Sequence, residues 1–134
     1  MHTIFQTLVY QREKGHDAVL VTIIWDDGSA PRGKGSQMLV GQDGLLAGTI
    51  GGGAVEGQAI ALAQEMLHSG ADSRTHEFRL RRDGSVQSTG MVCGGDVTVY
   101  FRRIPAADGA WDTLAAEVLR RLGAREPGWL VQPL

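Results

Sequence analysis

Apolar positions recur at helical spacing from the start of the chain: Ile4, Phe5, Leu8 and Val9 lie three and four residues apart, and Gly15 supplies a stop. Thr3 and Gln6 stand at capping-box spacing beside them, so a helix is predicted over residues 4–14. The pattern then changes. Ala18-Val19-Leu20-Val21-Thr22-Ile23-Ile24-Trp25 is nearly all apolar and rich in β-branched residues, the signature of a strand covered on both faces and therefore central in a sheet. A polar stretch with glycines and a proline, residues 26–35, leads into a short strand over 37–40. Asp43-Gly44 is a strong turn dipeptide, and with a further strand over 45–49 it predicts a hairpin.

After Gly51-Gly52-Gly53 the period returns to that of a helix, with Val55, Ala59, Leu62, Ala63 and Met66 on one face and Gly70 ending the run. His76, Phe78 and Leu80 alternate with polar residues, as Val97, Val99 and Phe101 do later, and both stretches predict strands. Trp111, Leu114, Ala115, Val118 and Leu122 predict a third helix over about 111–122. The expected fold is α/β of the α+β type: a mixed β-sheet with a central buried strand and an antiparallel hairpin, flanked by about three helices. A length of 134 residues fits one domain. Gly128-Trp129-Leu130-Val131 starts another strand-like segment with no polar tail behind it, the ending expected of a longer protein cut at this point.

Composition narrows the function classes. A net charge of −2 and an isoelectric point near 6.0 give no basic excess for nonspecific binding of nucleic acid or an anionic membrane. Residues 18–25 form the longest apolar stretch, far short of the roughly 20 residues of a membrane span, and the N-terminus lacks a signal-peptide pattern. Cys93 is the only cysteine, which excludes an internal disulfide and fits a reducing compartment, so a cytoplasmic location is expected. Glycine is the outlier: 19 residues, about twice the usual share.

The glycines gather where chemistry could sit. Gly28-Ser29-Ala30-Pro31-Arg32-Gly33-Lys34-Gly35 is one residue from a phosphate-cradling P-loop, but Gly35 stands where a Ser or Thr would hold magnesium, and a strand rather than a helix follows. Two readings of this loop are open: a long turn with Arg32 and Lys34 solvated, or a small-anion site in which glycine lets backbone amides approach and Arg32 offers its planar fork. Gly51-Gly52-Gly53 joins a strand to a helix, yet Glu56 stands where a dinucleotide fingerprint needs Gly or Ala, which disfavours a Rossmann site. Glu56 is accounted for by the positive end of the helix dipole, whereas three adjacent glycines mark positive φ or the close approach of a ligand. Cys93, followed by Gly94 and Gly95, is either a small buried hydrophobe or an open thiol among backbone amides. No nucleophile elbow and no closely spaced zinc set occurs, so no catalytic residue is assigned.

The order of these segments is more specific than any one of them. Ser29-Ala30-Pro31-Arg32 with Gly35 and Met38, then Asp43-Gly44, then Gly48-Thr49-Ile50-Gly51-Gly52-Gly53 with Glu56, then Cys93-Gly94-Gly95, resembles the N-terminal domain of the XdhC/CoxI family, accessory proteins of xanthine dehydrogenase and related molybdenum hydroxylases. The resemblance runs from about residue 19 to 101. It implies a chaperone rather than a turnover enzyme: a maturation factor that binds molybdenum cofactor (molybdopterin) transiently, assists its sulfuration with a cysteine desulfurase, and delivers it to an apo-hydroxylase. A homodimer is expected. The implied cofactor-binding residues are Ser29, Arg32, Gly51, Gly52, Gly53, Glu56, Cys93, Gly94 and Gly95, with Cys93 as the soft donor toward molybdenum. Longer members add a C-terminal Rossmann-like domain, and no second glycine fingerprint occurs before Leu134. Two other readings stay open: an enzyme acting on a nucleotide or small phosphate through residues 28–35, and an assembly domain whose ligand is held by a missing C-terminal half.

Overall fold

The computed structural model describes residues 2–26, 34–51, 53–79, 96–106, 117, 118 and 120. The elements follow in the order α1 (His2–Glu13), β1 (Ala18–Asp26), β2 (Gln37–Gly41), β3 (Gly44–Gly48), α2 (Gly53–Ser69), β4 (Ser73–Arg79) and β5 (Asp96–Ile104). The strands form one five-stranded sheet in the order β3-β2-β1-β5-β4. The expected class and the central place of β1 hold, and β2 and β3 form the expected hairpin.

Two details differ from the sequence reading. Every pairing among the described strands is antiparallel, where a mixed sheet was expected. The strand–helix–strand order of β3, α2 and β4 suggests a parallel pair, but those two strands land on opposite edges with three strands between them. Second, two helices are described in full. Most of the third expected helix lies outside the described residues; Glu117, Val118 and Arg120 are helical, and Val118 packs on the α1 side of the sheet.

Among the described residues, α1 packs on one face of the sheet and α2 on the other, which is why β1 is apolar at nearly every position. Val19, Val21 and Ile23 point toward α2, where they meet Val55, Ala59, Ala63 and Met66 together with Met38, Val40, Phe78, Val99 and Phe101. Ala18 and Leu20 point the other way and pack with Ile4, Phe5 and Leu8 of α1, along with Leu39 and Ile104. The period-2 alternation of the strand thus serves two cores at once. The first helix closes on a Schellman motif, with Gly15 at φ 77°, the Gly15 amide donating to Arg12 O and the His16 amide to Gln11 O.

The sheet has two unlike ends. At one, β1 begins opposite the close of β5 (Ala18 beside Ile104), β4 begins (Ser73 beside Arg102), and the β2–β3 hairpin turns. Arg103 ties this end together: its guanidinium donates to Asp17 at 3.1 Å, to Asp72 at 2.6 Å and to the Ala71 carbonyl at 3.1 Å. These bonds, that to Asp72 foremost, hold its pKa above the ordinary arginine value. Arg12, buried on α1, reaches the Pro105 carbonyl nearby. At the other end, β1 closes at Asp26 beside Val97, β3 closes at Gly48 beside Met38, and β4 closes at Arg79 beside Asp96. The three connections that carry the glycine-rich segments all leave from this second end.

Candidate functional site

Topology alone therefore gathers what the sequence separates. The 27–36, 49–52 and 80–95 connections start from neighbouring strand ends, and with strands about 4.8 Å apart the whole end is only about 19 Å from edge to edge. Of the nine residues assigned to the site, Gly51, Gly53 and Glu56 are among those described; Ser29, Arg32, Gly52, Cys93, Gly94 and Gly95 lie outside them.

The β3–α2 turn is the described part of the site, and its backbone is unusual. Gly48 has φ 78°, and a Cβ there would stand 2.4 Å from the Gln37 carbonyl oxygen and 2.9 Å from Ile4 Cδ1. Gly51 and Gly53 follow at φ 124° and 66°. Conformation is thus one sufficient reason for these glycines, independent of any ligand. Ile50, between Gly48 and Gly51 in sequence and 2% exposed, anchors the turn in the α2-side core.

Glu56 lies in the first turn of α2 and points back into the connection. Its Oε1 accepts a hydrogen bond from the Thr49 hydroxyl at 2.5 Å and another from the Ile50 amide at 3.1 Å. Thr49 Oγ1 in turn accepts from the Gly51 amide at 3.0 Å, and the Thr49 amide donates to the Gln37 carbonyl at 3.1 Å. The first-turn carboxylate therefore satisfies an amide ahead of the helix, as helix chemistry anticipates.

The base of the β1–β2 connection is held in a similar way. Asp26 Oδ2 accepts from the Lys34 amide at 2.8 Å, and ladder bonds run from the Gly35 amide to Ile23 O and from the Ile23 amide to Ser36 O. Sequence reasoning missed Asp26 and gave Thr49 no role. The signal for Asp26 was an acidic residue at the mouth of a glycine loop, where a short carboxylate caps returning amides. The chain then enters strand β2, so the helix that a P-loop uses for phosphate is not the element that follows.

The described residues hold no group of three or more His, Cys, Asp or Glu placed to bind a metal ion. His76 sits on β4 with its ring 4.5 Å from that of Phe78, and partial burial, helped by Arg74, pushes its pKa below the ordinary 6.5. It is a strand histidine, as its alternation with Phe78 suggests. No helix among the described residues is long and apolar enough to cross a membrane.

The model of the XdhC and CoxI family matches residues 11–79, a span that includes the central strand, the hairpin, the Gly51–Gly53 turn and α2. The chain belongs to the XdhC and CoxI family. It is 36% identical over 125 residues to the molybdenum cofactor insertion chaperone PaoD of Escherichia coli, covering 93% of this chain and 37% of PaoD. It is 34% identical over 98 residues to the uncharacterized protein YqeB of Escherichia coli, covering 73% of this chain and 18% of YqeB. Its fold is similar to the crystal structure of a xanthine dehydrogenase from Bacillus halodurans, with a TM-score of 0.65 and 26% identity over 91% of this chain and 35% of that one. The chain spans little more than a third of the length of PaoD and of the Bacillus halodurans protein, and less of YqeB.

Proposed function

We propose that this chain is the cofactor-handling domain of a maturation factor for a xanthine dehydrogenase-type molybdenum hydroxylase. The observation that carries the proposal is the 36% identity to PaoD across 93% of the chain. The cargo is molybdenum cofactor, bound transiently, protected during sulfuration by a cysteine desulfurase and passed to the apo-hydroxylase. The factor works as a cytoplasmic homodimer and turns over no substrate of its own.

The residues suit this cargo. Molybdopterin presents a phosphate, a pterin with hydrogen-bonding edges and a dithiolene-held metal. Backbone amides of Gly52 and Gly53 at the start of α2, with Ser29 and Arg32, supply donors for the phosphate and pterin, while Gly51, whose own amide is taken by Thr49, shapes the turn. Cys93, beside Gly94 and Gly95, supplies a soft sulfur donor for the metal. Glu56 belongs to the same site through the turn it holds. The common origin of the three connections at one sheet end supports a single site built from all of them.

The test is to purify the chain and its full-length parent from cells that make the cofactor, and to measure bound molybdenum and pterin. Copurification is expected; absence from both, with cofactor supply verified, overturns the proposal. Replacing Cys93 with Ala should lower molybdenum retention and activation of the client hydroxylase, and unchanged values for both would make Cys93 a packing residue.

A further inference from the structure

Glu56 raises a question of its own: why a site meant for an anionic cargo keeps a carboxylate in its turn. The hydrogen bonds answer it. One oxygen, Oε1, accepts from both the Thr49 hydroxyl and the Ile50 amide, while Thr49 Oγ1 accepts from the Gly51 amide. Thr49 and Ile50 are thus fastened directly to one side chain of α2, and Gly51 is fastened to it through the Thr49 hydroxyl. The bond directions make the carboxylate oxygen an acceptor and the threonine hydroxyl a relay that both accepts and donates.

We propose that Glu56 and Thr49 are positioning residues that hold the β3–α2 turn in its ligand-ready conformation before cargo arrives. Glu56 does this as a hydrogen-bond acceptor and makes no contact with the cargo. The inference rests on the cofactor-handling reading and assigns these two residues within that site. Its physical basis is entropy. A segment with glycines at φ 124° and 66° samples many conformations when free, and ordering it at the moment of binding subtracts from affinity. Ile50, buried against α2, fixes the middle of the turn, and the Glu56–Thr49 pair fixes the backbone on either side of it. The same bonds occupy the carboxylate oxygen with protein donors, which lessens its repulsion of a nearby anion.

Chemistry separates this role from a direct one. A carboxamide oxygen can accept the same two hydrogen bonds, so Glu56→Gln keeps the tether while removing the charge, and Glu56→Ala removes both. Thr49→Ser keeps the relay hydroxyl, and Thr49→Val removes it at nearly constant shape. Cofactor retention should stay within about twofold of the parent for Glu56→Gln and Thr49→Ser, and fall roughly tenfold or more for Glu56→Ala and Thr49→Val.

Amide hydrogen exchange followed by NMR supplies a readout that needs no cargo. The Ile50 amide should exchange faster in Glu56→Ala, and the Gly51 amide faster in Thr49→Val, with melting temperatures showing that each variant is folded. If Glu56→Gln loses cofactor as fully as Glu56→Ala while both amides stay protected, the charge acts on the cargo directly and the proposal is overturned. Unchanged exchange at Ile50 in a folded Glu56→Ala protein overturns it as well. Should the parent itself retain no cofactor, the functional reading fails, and the exchange pattern still decides whether these residues hold the turn.

Discussion

At the scale of single residues, Gly48 shows how a glycine of the candidate site is also a folding requirement. Its positive φ is disfavoured for any residue with a Cβ, and the added atom would meet the Gln37 carbonyl at 2.4 Å, inside any normal contact. Gly48→Ala should therefore destabilise the fold by about 2 kcal/mol or more, since strain and a backbone clash act together. Chemical denaturation of the variant checks this, and a loss below about 0.5 kcal/mol would show that β2 and β3 relax around the new methyl. The first glycine of the Gly48-to-Glu56 segment thus owes its place to packing. Gly51 and Gly53 owe theirs at least in part to backbone conformation.

At the scale of elements, α1 and α2 owe their places to the alternating faces of β1, while the sheet ends are held by side chains. Asp17 links the start of β1 to the close of β5 through Arg103 and through the Ala106 amide, which donates to its Oδ1 at 2.9 Å. Asp72 makes the shorter bond to Arg103, at 2.6 Å, but its side chain is 78% exposed, against 41% for Asp17. Solvent screening makes the exposed pair worth less. Asp17→Ala should cost about 1 kcal/mol, because a partly buried amide and a partly buried guanidinium both lose an acceptor. Asp72→Ala should cost about 0.5 kcal/mol. Thermal melts of the two variants give the order, and an equal or reversed ranking would show that bond length outweighs exposure here.

At the scale of the whole molecule, strand direction sorts the connections. The turns at residues 14–17, 42–43 and 70–72 lie at one end of the sheet, and the glycine-rich connections leave from the other. If the cargo binds at that second end, titration with a phosphorylated pterin should shift the amide resonances of Lys34, Gly35, Gly51 and Asp96. Those of Gly15, Gln42 and Asp72 should stay in place. Shifts confined to the latter group would move the site to the Arg103 end and dissociate it from the glycine segments.

Much of the architecture was legible in the sequence because burial imposes a period. Continuous apolar character marked β1 as doubly covered, and the spacing of Val55, Ala59, Ala63 and Met66 marked the buried face of α2. The order of the glycine segments was enough to suggest the family, because turn and loop residues answer to local conformation and neighbouring chemistry. Pairing was not legible in the same way. That β3 and β4 take opposite edges, with every ladder antiparallel, depends on which strands meet in three dimensions, and residues far apart in the chain decide it. The same holds for the tether from Glu56 to Thr49 and Ile50 and for the Asp26 cap on Lys34, since an acceptor's partners are set by where the backbone turns. Sequence periodicity determined which faces are buried; only the tertiary structure decided that three distant connections share one end, because strand direction and order are collective properties of the sheet.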